Sequence, residues 1–167
     1  MPEIIVIAHN IRSTHNIGSL FRTADGFGVQ EIILSGYSPS PNYPDDTRLP
    51  HISEKLTNQI HKTALGAEQT VAFRVVDTPP IDELRALGYR IVALEQATTS
   101  APLNTYEVPE KIALILGEEV DGISVDTLNQ CDDIVEIPMQ GRKESFNVSV
   151  AAAIALYQFS VLSYNTP

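Results

Sequence analysis

Six short and nearly unbroken apolar runs constrain this chain more than any other feature. They are IIVIA (4–8), EIILS (31–35), VAFRVV (71–76), RIVAL (90–94), IALIL (112–116) and IVEI (134–137). A strand that is apolar on both alternating faces has no side to show to water, so it belongs in a sheet covered on both faces, the usual setting of parallel strands. The segments between them, about 16–27, 52–66, 80–87, 124–130 and 147–162, space their apolar residues at helical intervals. This alternation predicts an α/β fold with a mostly parallel six-stranded sheet and helices on both faces. With 167 residues and 43% hydrophobic content, a single domain over 1–167 buries a sizeable core without staples.

Charge and cysteine usage narrow the chemistry. Eleven basic residues against 21 acidic ones give a formal charge of −10. Such a balance argues against nucleic-acid binding by bulk charge and leaves a local cationic patch open. Cys131 is the sole cysteine, which rules out an intrachain disulfide and argues against a zinc cluster. Histidines 9, 15, 51 and 61 lack paired metal spacing, and no metal is expected. The start, MPEIIVIAHN, lacks the basic opening and long apolar run of a secretory signal, and no stretch reaches transmembrane length. A cytoplasmic protein without a membrane partner is therefore expected, and the sequon at Asn147–Ser149 reads as chance. The fingerprints of dinucleotide binding, P-loops, serine hydrolases and zinc proteases are absent.

Two loops interrupt the pattern. SGYSPSPNYPDDTRLP (35–50) holds four prolines and no periodicity, so it is expected to be irregular and exposed, as a surface excursion or a functional lid. Residues 98–109 form a second, shorter loop.

Three stretches carry chemistry. In NIRSTHNIGSLFRTADGFG (10–28), Ile17, Leu20, Phe21, Ala24 and Phe27 form one apolar stripe. Asn16 is placed to cap it, and His15, Ser19 and Arg22 line another face. Gly18 permits close approach of a backbone or a ligand. A helix start with free N–H groups, a glycine and an arginine about a turn on can hold an anion; equally, Asn16 can merely cap and Arg22 merely solvate the surface. In ILGEEVDGIS (115–124), Gly117 allows a sharp turn at a strand's carboxyl end, where ligands meet parallel sheets. Glu118, Glu119 and Asp121 then read as a solvated loop or a helix-start charge bias, with a metal site disfavoured. In IPMQGRKESFNVSVAAAIALYQF (137–159), Pro138 stops the strand, and Ser145 or Asn147 caps a long helix. That helix has one apolar face at Val148, Ala151, Ala152, Ala155, Leu156, Phe159 and Leu162, and a second at Val150, Ile154, Tyr157 and Val161. Burial on two sides makes it a candidate subunit interface.

Together these stretches resemble the signature motifs of the SpoU/TrmH class of SPOUT RNA methyltransferases. The first pattern, N-x-R-S-x-x-N-x-G-x-x-x-R-T-A-x-x-x-G, is met by Asn10, Arg12, Ser13, Asn16, Gly18, Arg22, Thr23, Ala24 and Gly28. The second, L-G-x-E-x-x-G-[LI]-[ST], is met by Leu116, Gly117, Glu119, Gly122, Ile123 and Ser124, and the third runs from Ile137 to Ile154. The resemblance covers essentially the whole chain. It implies a carboxyl-terminal deep trefoil knot, S-adenosylmethionine as cofactor with S-adenosylhomocysteine as product, and a homodimer through the last helix. It further implies a catalytic set of Asn16, Arg22, Glu119, Ser145 and Asn147, and a cofactor pocket of Leu94, Gly117, Ile137, Met139 and Phe146. The reaction implied is methylation of a ribose 2′-hydroxyl in tRNA or rRNA. Arg12, Arg22, Arg142 and Lys143 fall in the motif segments, so the expected RNA-binding site is basic on an acidic body, with Arg12, Arg142 and Lys143 as RNA contacts. Base methylation at a ring nitrogen and a non-catalytic RNA-binding module are the alternatives. Glu118, Val120 and Phe146 depart from the residues common in this class.

Overall fold

Why the apolar runs are so continuous is answered by the layering. The computed structural model describes residues 1–161, and within them every strand pairs in parallel. The strands are β1 (Glu3–His9), β2 (Glu31–Ser35), β3 (Phe73–Val76), β4 (Arg90–Leu94), β5 (Ala101–Pro102), β6 (Lys111–Leu116) and β7 (Asp133–Glu136). Their order is β3-β2-β1-β6-β4-β7-β5. The helices are α1 (Thr14–Phe27), α2 (Pro50–Ala64), α3 (Ala67–Thr70), α4 (Ile81–Ala86), α5 (Val125–Leu128) and α6 (Val148–Ser160). None of them is long and apolar enough to cross a membrane.

Strand side chains alternate between two cores. Ile4, Val6, Ala8, Ile32, Leu34, Val92, Leu114 and Val135 face one core, completed by Ile17, Leu20 and Phe21 of α1, Ile60 of α2 and Leu156 and Phe159 of α6. Ile5, Ile7, Ile33, Ile91, Ala93 and Ile115 face the other, completed by Ile81 and Leu84 of α4 and by Leu128 of α5. The six expected strands are all present.

Three expectations need correction. The sheet has a seventh strand, β5, inside the segment taken for a plain loop. It pairs Ala101 with Val135 and Pro102 with Glu136 at the sheet's edge, and two residues ending in proline carry no periodicity to read. Helix α1 starts at Thr14 and is capped by Ser13, whose hydroxyl accepts from the Asn16 N–H. Asn16 therefore does not cap. Segment 35–50 is irregular, yet Ser38 and Ser40 are buried. The Ser38 hydroxyl donates to the Ala8 carbonyl (2.8 Å) and accepts from the Ile11 N–H (2.9 Å), supplying partners that a chain without regular structure lacks. On α6, Ala152, Ala155, Leu156 and Phe159 of the first apolar face are buried and Val148 and Ala151 partly so, while within one chain Val150 and Tyr157 of the second are nearly half exposed. Leu162 lies outside the described residues.

Gly18 explains how α1 and α2 cross. A β-carbon at this position would overlap the Thr63 hydroxyl and the Ile60 carbonyl of α2. Thr63 itself donates to the His15 carbonyl at 2.9 Å, so the close approach is hydrogen-bonded as well as packed. Gly18→Ala is expected to cost about 1–3 kcal/mol, as overpacking does. The fall in midpoint of a denaturant titration checks this, and an unchanged midpoint would count against the tight crossing.

Candidate active site

At the carboxyl ends of β4, β6 and β7 the connecting loops part around a cleft of about 410 Å³. This is the edge at which open parallel sheets bind ligands. Leu94 ends β4, Leu116 ends β6, and Ile137 and Met139 follow β7; Gly117, Ser145 and Phe146 complete the wall. All five residues expected to hold a cofactor thus converge from three loops.

Backbone geometry at Gly117 is set by crowding. A β-carbon there would lie 2.5 Å from Ile123 Cγ1 and 2.7 Å from the Gly122 carbonyl carbon, so the turn after β6 closes only over glycine. Gly122 has φ 67°, the left-handed region that favours glycine. Sequence reasoning missed the residue that holds this turn in place. Glu95 follows β4, accepts from the Ile123 N–H at 3.0 Å and from the Gln96 N–H at 2.8 Å, and packs against Gly122. Gln96 in turn donates to the Glu144 carbonyl at 2.7 Å, tying the loop after β4 to the segment after β7. The readable signal was a polar Glu-Gln pair directly after an apolar strand.

The lip of the cleft brings together three of the expected catalytic residues. The Asn16 amide donates to Glu119 Oε1 at 2.6 Å, and the Asn147 amide donates to Asn16 Oδ1 at 3.2 Å. Asn147 also caps α6, accepting from the Ser149 N–H and hydroxyl. Because Ser13 caps α1, the Asn16 side chain is released for this contact. Ser145 lines the cleft beside Phe146. Arg22 is not part of the cluster. Six residues beyond Asn16, it sits about 9 Å along the helix axis and about 120° around it. Its side chain is exposed and makes no hydrogen bond or ion pair to another described residue.

Of the expected RNA contacts, Arg142 and Lys143 lie exposed on the segment between β7 and α6. Arg12 is already engaged. Its Nη2 lies 3.1 Å from Glu118 Oε1, and its guanidinium stands 5.6 Å from the Tyr37 ring centroid. Tyr37 first and Glu118 second raise the Arg12 pKa above its ordinary value. His9, at the exit of β1, is held between Ser35 (2.9 Å) and Asn10 (3.3 Å). Burial lowers its pKa below the ordinary imidazole value.

Charge is sharply divided. Glu95, Glu118, Glu119, Asp121, Glu136 and Glu144 line the cleft, and among the described residues no lysine, arginine or histidine does. Among the described residues no three histidine, cysteine or acidic side chains converge as metal ligands would.

The sheet and cleft define a parallel α/β fold with a cleft at its carboxyl edge and an amide–carboxylate cluster at the lip. Residues 3–157 match the SpoU rRNA Methylase family, and the chain belongs to that family. It is 32% identical over 159 residues to the 23S rRNA (guanosine-2′-O-)-methyltransferase RlmB of Nitrosomonas europaea, covering 94% of this chain and 55% of that protein. Against the tRNA (guanosine(18)-2′-O)-methyltransferase TARBP1 of Mus musculus it is 29% identical, covering 96% of this chain and 9% of the mouse protein. The chain thus spans only part of the length of these relatives. Its fold overlays that of the A. aeolicus TrmH/SpoU tRNA modifying enzyme with TM-score 0.77 at 25% identity, covering 96% of this chain and 75% of that one. The AdoMet-bound rRNA methyltransferase from Sinorhizobium meliloti overlays with TM-score 0.76 at 25% identity, covering 93% and 55%.

Removing the Glu95 carboxylate leaves the Ile123 N–H without its partner. Glu95→Ala is expected to loosen residues 117–124 by about 1–3 kcal/mol, the cost of an orphaned buried donor. Amide hydrogen exchange at Ile123 measures it directly, and unchanged protection would remove Glu95 from this role.

Proposed function

We propose that the chain transfers a methyl group from S-adenosylmethionine to a ribose 2′-hydroxyl of tRNA or rRNA. The observation that carries this reading is the Asn16–Glu119–Asn147 hydrogen-bond cluster at the lip of a ligand-sized cleft. The residues fit the cofactor. Leu94, Ile137, Met139 and Phe146 offer apolar surface for a purine, and a cleft lined by carboxylates without a cation favours a positively charged group. When bound, S-adenosylmethionine supplies an electrophilic methyl on a cationic sulfonium.

The chain's own residues would then position the hydroxyl. Asn16 and Asn147 offer amide groups to the ribose, and Glu119 holds the Asn16 amide in one orientation. Ser145 presents a second hydroxyl contact along the same wall. A guanidinium is a donor with no acceptor atom, so the role read for Arg22 is a clamp on the adjoining phosphate and on the developing alkoxide, supplied across the dimer seam because within one chain it stands away from Asn16. Arg142 and Lys143 provide further phosphate contacts. The guanosine-2′-O activities in the names of the relatives from Nitrosomonas europaea and Mus musculus support ribose as the acceptor. The trefoil knot belongs to the same reading. So does a cytoplasmic site of action.

A homodimer through α6 completes the proposal. Val150, Ala153, Ile154 and Tyr157 form an apolar groove with Ser19 and Thr23 of α1. A second copy seated there puts Arg22, next to Thr23, at the seam between protomers. Sedimentation equilibrium is expected to give twice the chain mass, with Tyr157→Asp shifting it toward one chain. A native protein that sediments as a monomer would remove the dimer from the proposal.

The activity is tested in three measurements. Calorimetric titration with S-adenosylmethionine is expected to show binding, and no heat at millimolar cofactor would sink the reading. Nucleoside mass spectrometry of RNA from cells with and without the gene is expected to show loss of one 2′-O-methyl nucleoside; loss of a base-methylated one would favour ring-nitrogen chemistry instead. Arg22→Ala is expected to lower turnover at least 100-fold, on the scale of removing an alkoxide-stabilising donor, while cofactor binding persists.

A further inference from the structure

Arg12, Tyr37 and Glu118 join three loops at the flank of the cleft: the β1–α1 connection, segment 35–49 and the turn after β6. The Tyr37 N–H donates to Asn10 Oδ1 at 3.2 Å, which fixes the aromatic residue beside the first motif. On one side of this junction lies the carboxylate-lined cleft. On the other lies a groove whose walls include Arg12, Ser13, His15, Tyr37, Arg48 and Gln59 and no carboxylate residue. Arg48 is committed to Asp46 and to the carbonyls of Ser40 and Pro41, so Arg12 is the arginine there with a mostly free surface. Its side chain is 73% exposed, whereas that of Glu118 is 13% exposed.

A guanidinium over an exposed aromatic ring matches one phosphate and one unstacked base of a single-stranded RNA segment. In the free protein the charge of that guanidinium is offset by Glu118. We propose that Arg12 and Tyr37 dock a phosphate and the adjoining base of the RNA beside the methyl-transfer cleft, and that Glu118 masks this point until the phosphate displaces its carboxylate from Arg12. The inference rests on the reading of the chain as an RNA methyltransferase and adds to it a docking point and its counter-ion. Phosphate oxygens take over the Nη2 contact that Glu118 Oε1 holds in the free protein, and the Glu118 carboxylate is released toward the cleft that it already lines. The exchange lets a chain of net charge −10 hold RNA at one place without a general basic surface.

Filter binding of labelled tRNA and of fragmented rRNA over a range of salt tests the exchange, with thermal melts confirming that each variant folds. Glu118→Gln is expected to bind RNA about two- to five-fold more tightly, the scale of one exposed ion pair. Arg12→Ala is expected to bind more weakly, with the salt slope reduced by about one. Tyr37→Ala is expected to weaken binding at least about five-fold through lost stacking, and Tyr37→Phe to retain it. In the Arg12→Ala background, Glu118→Gln is expected to add nothing, because its effect runs through Arg12. Unchanged or weaker binding by Glu118→Gln overturns the mask, and so does a gain that persists without Arg12, which is the signature of lowering net charge anywhere. If Arg12→Ala and Tyr37→Ala bind as the native chain does while RNA is still methylated, the docking point is overturned and the enzymatic reading stands. If the native chain neither binds nor methylates any of these RNAs, the enzymatic reading falls first and this inference with it.

Discussion

Covering both faces of one parallel sheet is the constraint on which the rest of this structure depends. Parallel strands are connected only through crossovers, and each crossover returns over a face of the sheet, so both faces are buried. Strand side chains accordingly split into two cores, with Ile4, Val6 and Ala8 on one side of β1 and Ile5 and Ile7 on the other. The same geometry sends every strand's carboxyl end to one edge. The loops after β1, β4, β6 and β7 therefore meet there whatever their sequence, and the cleft is a consequence of the layering.

Once the loops meet, polar bookkeeping shapes them. Irregular backbone near a core must find partners, and here side chains provide them: Ser38 for β1 and Ile11, Glu95 for the turn after β6, Ser13 for the start of α1. Ser13 and Asn16 show how one substitution of roles creates a site. With the cap supplied by serine, the asparagine amide reaches across 103 positions of sequence to Glu119. Acidic residues concentrate in the cleft, and the exposed cations Arg142, Lys143 and Arg12, the last paired with Glu118, stand outside it. A high acidic content is thereby compatible with a cationic cofactor inside and a polyanion at the rim.

Much of this was legible beforehand. Continuous apolar runs named the six strands because burial on both faces leaves no alternation to confuse them. Leu94, Gly117, Ile137, Met139 and Phe146 were found through motif resemblance and converge as expected. Strand β5 was illegible because a two-residue edge strand has no period. Glu95 was passed over because a lone carboxylate after a strand looks like any solvated loop residue, and its role exists only relative to the Ile123 N–H. Gly18 was read as permitting close approach, yet only the path of α2 showed that a helix backbone, rather than a ligand, is what approaches.

By itself, then, the sequence determined the layer architecture, the strands that build the cleft and the residue types at its edge, since these follow from burial periodicity and local turn chemistry. Tertiary structure decided the partnerships: Asn16 with Glu119 and Asn147, Arg12 with Glu118 and Tyr37, and the separation of Arg22 from all of them within one chain. The physical reason is range. Period and propensity act over a few residues, whereas a hydrogen bond or an ion pair needs two groups within about 3 Å, and only the completed fold sets that distance for residues a hundred positions apart.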